Sequence, residues 1–253
     1  MSDRPLVLLS NDDGYSAHGI NELRNVLVKY MDVVVVAPHT EQSAQSHALT
    51  LSRPLRHHAI SEGIHSVDGT PADAVYVALF QKKMLPRRPD VVASGMNHGL
   101  NLGTDVFYSG TVAAAREGAL RGIPSVALSM DHGGSWSKSS EVAAQIILRL
   151  AKEKEAGLNT PLLNVNFPKG EHKGIRVARL GLRQYNDDVV ARTDPRGREY
   201  YWIGGPAEAT HEHMPGSDTE AIDAGYISVT PLLLEATAEA EFTLAKRVAG
   251  ELL

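Results

Sequence analysis

The sequence contains no cysteine. Disulfides, thiolate nucleophiles and cysteine-based metal sites are therefore excluded, and a reducing cytoplasm is compatible with the chain. Positive charge is not in excess either. The formal net charge is −5, which argues against a general nucleic-acid binder with its basic stripe. A small anionic substrate stays open, because a metal ion or a few donors can reverse a local field. Long apolar runs are missing as well. No stretch approaches the ~18 apolar residues of a membrane span, and "LVLL" near the start is too short for the core of a secretory signal. A soluble, cytoplasmic protein is expected. Three motifs are absent: a G-x-G-x-x-G after the first strand, a G-x-x-x-x-G-K-[ST] loop and a G-x-S-x-G elbow. Nicotinamide binding, P-loop chemistry and a serine-hydrolase elbow are thereby disfavoured.

What is present is ordinary for a globular chain of 253 residues with 43% hydrophobic content, enough for one large domain or two small ones. Residues 6–10 read as a buried strand, 19–30 as a helix and "DVVVVAP" (32–38) as a second buried strand. That is a βαβ unit, and hence a parallel sheet. Shorter strands without a clear period follow over 49–68. A helix over 69–83 is capped by Thr70 with Pro71 in its first turn. Strands at 89–95, 123–130 and 161–168 alternate with helices at 110–122 and 139–155. From about residue 175 the content turns β-rich and aromatic. "IRVARLGLRQY" and "REYYWIGGP" suggest a hairpin or β-arm, followed by a strand at 225–234 and an amphipathic helix at 236–252. No linker or internal repeat divides the chain, so one α/β domain spanning 1–253 is expected, with a core over about 1–180 and an arm and terminal segment over about 181–253.

Chemistry collects in "SNDDG". Asp12 and Asp13 stand side by side at the end of the first strand, where open parallel sheets bind their ligands. Adjacent carboxylates repel and resist desolvation unless something positive sits between them. Two carboxylates with hydroxyl or amide oxygens make a hard-oxygen cage for Mg²⁺ or Mn²⁺. The ordinary alternative is a turn in which one Asp caps the next helix. Ser109-Gly110-Thr111 opens an alanine-rich helix whose free N–H groups suit a phosphate; the alternative is a plain serine cap. "GLNLG" (99–103) adds a second backbone cradle. His57, His58, His211 and His213 read as loop histidines. His39, His47 and His98 lie in the loops at the functional edge, where one could serve as an acid.

The segments "LLSNDDGYSAHGI", "VVVVAPHTEQSAQSHALTL", "GTPADAVYVAL", "PDVVASGMNHGLNLGTDVFYSGTVAAAREGALRGIPSVALS" and "GYISVTPL" together resemble the SurE family of stationary-phase survival proteins, metal-dependent nucleoside 5′/3′-monophosphate phosphatases. The likeness extends over most of the chain. It implies a Rossmann-like three-layer αβα core and one divalent ion per subunit, Mg or Mn, on Asp12, Asp13, Ser43 and Asn97. It also implies a homodimer or homotetramer built partly by C-terminal exchange, for which the aromatic arm at 200–205 and the terminal helix are suited. "GSDTEAID" (216–223) matches a loop that approaches a neighbouring site. The expected reaction is hydrolysis of nucleoside monophosphates, with cleavage of polyphosphate left open. Asn11, Gly14, Asn101, Ser109, Gly110 and Thr111 would hold the substrate, with Asn11 and Asp12 catalytic. Water activated by the metal or by Asp12 is the expected nucleophile, and an aspartyl-phosphate is the other route. Two rivals are a receiver domain, which lacks its middle-strand Asp here, and a non-catalytic nucleotide-binding module.

Overall fold

The computed structural model describes residues 4–153, 160–185, 189–203 and 210–250. The first strand, Leu6–Ser10 (β1), is buried along its whole length, as a strand covered on both faces must be. Val7 and Leu9 face one apolar cluster while Leu6 and Leu8 face another. The helix His18–Leu27 (α1) buries Ile20, Leu23, Val26 and Leu27 at helical spacing. It returns the chain to Asp32–Pro38 (β2), parallel to β1.

The succeeding elements are His57–Ser61 (β3), Ile64–Val67 (β4), Pro71–Phe80 (α2), Val91–His98 (β5), Gly110–Leu120 (α3), Ser125–Met130 (β6), Trp136–Leu150 (α4) and Leu162–Phe167 (β7). After them come Ile175–Val177 (β8), Arg183–Gln184 (β9), Val189–Thr193 (β10), Glu199–Ile203 (β11), Thr210–His211 (β12), Asp218–Asp223 (α5), Ile227–Pro231 (β13) and Phe242–Gly250 (α6). The main sheet has nine strands in the order β3-β4-β2-β1-β5-β6-β7-β13-β8. Its six central strands, β4 to β7, are all parallel. Counted alone they follow the 3-2-1-4-5-6 order of a Rossmann fold. β3 is antiparallel to β4 at one edge, and β13 is antiparallel to β7 near the other.

Helices cover both faces: α1 and α4 pack on one, α2 and α3 on the other. The expected α/β architecture with a mostly parallel sheet is present. Three crossovers share one hand. The fourth, β6–α4–β7, steps in the same direction as β5–α3–β6 but carries its helix on the opposite face, so its hand is reversed, against the usual rule. That reversal lays Trp136, at the start of α4, beside His18 and His98, with ring centroids 5.1 and 5.6 Å away.

Several boundaries differ from the sequence expectation. α4 begins earlier because Ser135 caps it, its hydroxyl accepting from the Lys138 amide; residues 154 and 155, the expected helix end, lie outside the described residues. His57 and His58 stand on the edge strand β3 and His211 on β12, so these are strand rather than loop positions. The expected hairpin between 175–185 and 198–206 is replaced by β10 with β11, closed at Asp194-Pro195-Arg196-Gly197, where the Gly197 amide donates to the Asp194 carbonyl. Gly197 has φ +77°, the left-handed conformation such a turn requires. β8 instead extends the main sheet, while β9 pairs with β12. "GSDTEAID" is the helix α5 with Ser217 as its cap, packed on its own chain. β13, in the segment expected to be arm, lies inside the main sheet. The final helix is shorter than expected, preceded by a 3-10 turn at Glu239–Glu241.

Candidate active site

From β1 the chain passes to β2 on one side, and from β5 to β6 on the other. The strand order therefore reverses between β1 and β5, opening a crevice beyond their carboxyl ends. Asp12 and Asp13 leave β1 at this crevice. Neither caps α1, whose cap is Ala17 with no side-chain hydrogen bond. Asp12 is 5% exposed. Its Oδ1 accepts a hydrogen bond from the Thr111 hydroxyl, and its carbonyl accepts from the Gln42 amide at 2.8 Å. A Cβ on Gly110 would meet the Asp12 Cβ at 2.8 Å, so the first turn of α3 abuts this carboxylate only because residue 110 is glycine. Burial pushes the Asp12 carboxyl up to about 6; the Thr111 hydroxyl opposes the shift and the Asp13 charge adds to it. Asp13 is also raised, by burial first and by Glu41. Its Oδ2 accepts from the His98 amide at 3.4 Å. Asn11 is fully buried and donates Nδ2 to the Gly14 carbonyl at 2.8 Å, which shapes the turn.

β5 brings Asn97 to the same place after an irregularity in its pairing with β6 between Ser94 and Asn97, which re-aims the strand end. The Asn97 amide donates to the Gly99 carbonyl at 2.8 Å, leaving its side-chain oxygen for another partner. The loop beyond is held from beneath by buried polar groups. The Asn101 amide donates to Asn166 Oδ1 at 2.8 Å, its carbonyl accepts from Asn164 and Asn166 at 2.7 and 3.1 Å, and its Nδ2 donates to Ser129 Oγ at 2.8 Å. Asn166→Leu strips two of these bonds and leaves a buried N–H unpaired, so it should lower unfolding stability by about 2 kcal/mol in urea. A variant as stable as the parent would show that the network does not hold the loop.

The loop after β2 supplies Ser43, whose hydroxyl donates to Glu41 at 2.8 Å. Ser46 fixes this loop to the approach to α3, donating from N to the Tyr108 carbonyl at 3.0 Å and from Oγ to the Phe107 carbonyl at 2.6 Å. His47 completes the staple, 2.9 Å from the buried Glu117, which also pairs with Arg121 at 2.7 Å. Burial works against the Glu117 charge, but His47 and Arg121 outweigh it and hold the carboxyl below its ordinary value. A depressed folded pKa gives stability that is complete above the unfolded pKa and lost as pH falls through the folded one. Glu117→Gln should therefore lower stability by about 2 kcal/mol near pH 7. The gap between parent and variant should shrink below pH 4.5, the ordinary value for this group. Melting curves at pH 7 and pH 4 check this; a gap independent of pH would refute the charge as its cause.

Together these loops enclose a cleft of about 580 Å³ lined by Asp12, Asp13, Glu41, Ser43, Ala44, Asn97, His98, Leu100, Asn101, Asp105, Tyr108, Ser109 and Tyr185. Four carboxylates face it, and among the described residues no lysine or arginine lines it. The structure thus brings Asp12, Asp13, Ser43 and Asn97 to one cleft, with Asn101 and Ser109. Asn11, Gly14, Gly110 and Thr111 are buried and are not among its lining residues, and the Thr111 side chain is committed to Asp12. Ser109 caps α3, accepting from the Val112 amide at 3.1 Å. Of the edge histidines only His98 lines the cleft; His39 bonds Ser66 and His47 bonds Glu117. Sequence reasoning missed Glu41, Leu100, Asp105, Tyr108 and Tyr185. Asp105 and Tyr108 flank the loop and helix cap already marked as polar, whereas nothing local marks Tyr185.

A family model described as Survival protein SurE matches residues 7–187. The chain belongs to the SurE family. A protein named 5'-nucleotidase SurE from Sorangium cellulosum (strain So ce56) is 55% identical over 252 residues, covering 98% of this chain and 97% of that one. Another of that name, from Anaeromyxobacter sp. (strain Fw109-5), is 48% identical over 92% of each chain. Among solved structures, the SurE protein from Aquifex aeolicus superposes with a TM-score of 0.81 at 38% identity, covering 97% of this chain and all of its own. The SurE family match includes the loops carrying Asp12, Asp13, Ser43, Asn97 and Ser109. It also includes Tyr185, on the arm side of the cleft.

Proposed function

We propose that this SurE-family chain is a divalent-metal-dependent phosphatase that hydrolyses nucleoside 5′- and 3′-monophosphates to nucleoside and phosphate, with polyphosphate as a further substrate, in the cytoplasm. The relatives named 5'-nucleotidase support the reaction class. One observation carries the metal. Asp105 is paired with Arg183, but a phosphate monoester dianion cannot settle beside Asp12, Asp13 and Glu41, which no lysine or arginine of the lining balances, unless a cation comes with it. The donors fit that cation. Asp12, Asp13, Ser43 and Asn97 offer only hard oxygens, and the side-chain oxygen of Asn97 is free because its amide nitrogen already bonds Gly99. These four residues would hold one Mg²⁺ or Mn²⁺, which when bound supplies charge neutralisation at the phosphoryl oxygens.

The remaining roles belong to the chain. Ser109, at the start of α3, and Asn101 would hold phosphoryl oxygens, with the helix dipole favouring their charge. Thr111 orients the Asp12 carboxylate from behind. Asn11 and Gly14 fix the turn that presents it. Asp12 would take the proton of an attacking water, or itself attack phosphorus; trapping a labelled protein carboxylate separates the two. The test is phosphate release from AMP and GMP with and without EDTA. Release should cease with chelator and return with excess Mg²⁺ or Mn²⁺; turnover untouched by EDTA would refute the metal.

A homodimer or homotetramer belongs to the same proposal. Trp202 and Ile203 on β11 are 61% and 91% exposed, and α6 buries none of its residues although Phe242, Leu244 and Val248 lie on it. Apolar surface of this kind calls for a second copy. Light scattering after gel filtration should give a dimer or tetramer, and removal of residues 236–253 should lower that mass. A monomeric full-length chain would refute it.

A further inference from the structure

The proposed metal ligands account for only part of the cleft lining. The cleft also carries aromatic rings that the phosphoryl chemistry does not use. Tyr108 and Tyr185 both line it and are 68% and 53% exposed. Tyr185 is not a loose surface ring. Its hydroxyl donates to Asp105 Oδ1 at 2.8 Å, and Arg183 binds Oδ2 of the same carboxylate at 2.7 Å. The Arg183 guanidinium lies 5.7 Å from the centre of the Tyr185 ring. The Thr104 hydroxyl donates to the Arg183 carbonyl at 2.9 Å, tying β9 to the 3-10 turn Gly103–Phe107. The ring is thus pinned at its tip, and the chain two residues before it is tied down, while more than half of it stays open. An aromatic ring fixed in this way loses little freedom when a flat group lies on it.

We propose that Tyr185, with Tyr108 in the same cleft, is the specificity-determining surface that receives the nucleoside half of the substrate. The inference rests on the nucleotidase reading above and names the residues that take the nucleoside. A cleft of about 580 Å³ leaves ample room beyond one phosphate group. A nucleobase offers a π-face that stacks on tyrosine whatever its identity, so this surface selects nucleosides over aliphatic esters without choosing a base. Burial, with the Asp105 carboxylate, pushes the Tyr185 hydroxyl up to about 12, so it remains a donor across ordinary assay conditions.

The experiment uses the full chain, AMP hydrolysis as the assay, and the two products as separate inhibitors. In Tyr185→Leu the KM for AMP and the inhibition constant of adenosine should rise together by about 10-fold. The inhibition constant of inorganic phosphate and kcat should stay within about twofold. Tyr185→Phe, which keeps the ring, should restore most of the AMP affinity. A parallel rise for phosphate and adenosine would mean a merely structural role and would overturn the proposal, as would no change in either. A parent protein that releases no phosphate from AMP would instead remove the nucleotidase reading, and the subsite with it.

Discussion

Replacing Asp12 with asparagine is expected to lower phosphate release from AMP by at least about 10³-fold, roughly 4 kcal/mol of barrier, without lowering the melting temperature. The two effects have one cause. Asp12 is buried beside Asp13, and its carboxyl is pushed up by that burial. Folding two adjacent acids into a place with no basic wall residue works against stability. Asparagine keeps the volume and an oxygen for the Thr111 hydroxyl while removing the charge. The fold should therefore tolerate the change, and only the function should suffer. Saturating Mg²⁺ or Mn²⁺ separates weak metal affinity from lost chemistry; turnover near the parent's under those conditions would remove Asp12 from the site. Thr111→Val is a milder relative. It leaves the carboxylate in place without its orienting hydroxyl, and should cost activity about 10-fold. Unchanged kcat and KM would leave that hydroxyl without a role.

The second large effect concerns the clamp behind the cleft. Asp218 is fully buried and accepts three backbone amides: Gly181 at 2.8 Å and Thr219 at 2.9 Å on Oδ1, and Gly103 at 2.9 Å on Oδ2. It joins the loop after β5, the chain leading to β9, and α5. The approach is close: a Cβ on Gly103 would meet the Gly181 carbonyl at 2.7 Å, and one on Gly181 the Thr219 hydroxyl at 2.7 Å. Asp218→Asn turns one accepting oxygen into a donor facing an N–H. At least one buried amide is then unpaired and opposed, a loss of about 3 kcal/mol. For a chain of this size that is about 6–12 °C in Tm. Calorimetry would check it; a shift under about 2 °C would show that the three bonds are not what joins these segments. Because Asp218 sets where Arg183 and Tyr185 begin, the variant should also raise the KM for AMP.

Much of this molecule is legible in order along the chain. The run Leu6–Ser10, the repeated strand and helix grammar, and the Thr70 cap with Pro71 all appear as local pattern dictates. So does the concentration of Asp, Asn and Ser at strand ends. Local pattern failed where a partner from far away made the choice. The strand at 198–203 pairs with β10 because a tight turn at 194–197 lies between them, whereas residues 175–177 are drawn to the sheet edge beside β13. Segment 216–223 could not be read as a helix from its charges alone; its cap and its buried Asp218 decide it.

The candidate site divides the same way. The sequence by itself determined that acids, amides and a helix start would lie at the carboxyl ends of parallel strands, because alternation and apolar runs are properties of neighbours in the chain. Tertiary structure alone decided that Thr111 stands behind Asp12 and that His47 is spent on Glu117. It also decided that Asp105 and Tyr185 meet and line the same cleft. These are contacts between residues 99, 70 and 80 positions apart. No local periodicity encodes them, because they depend on how the layers close.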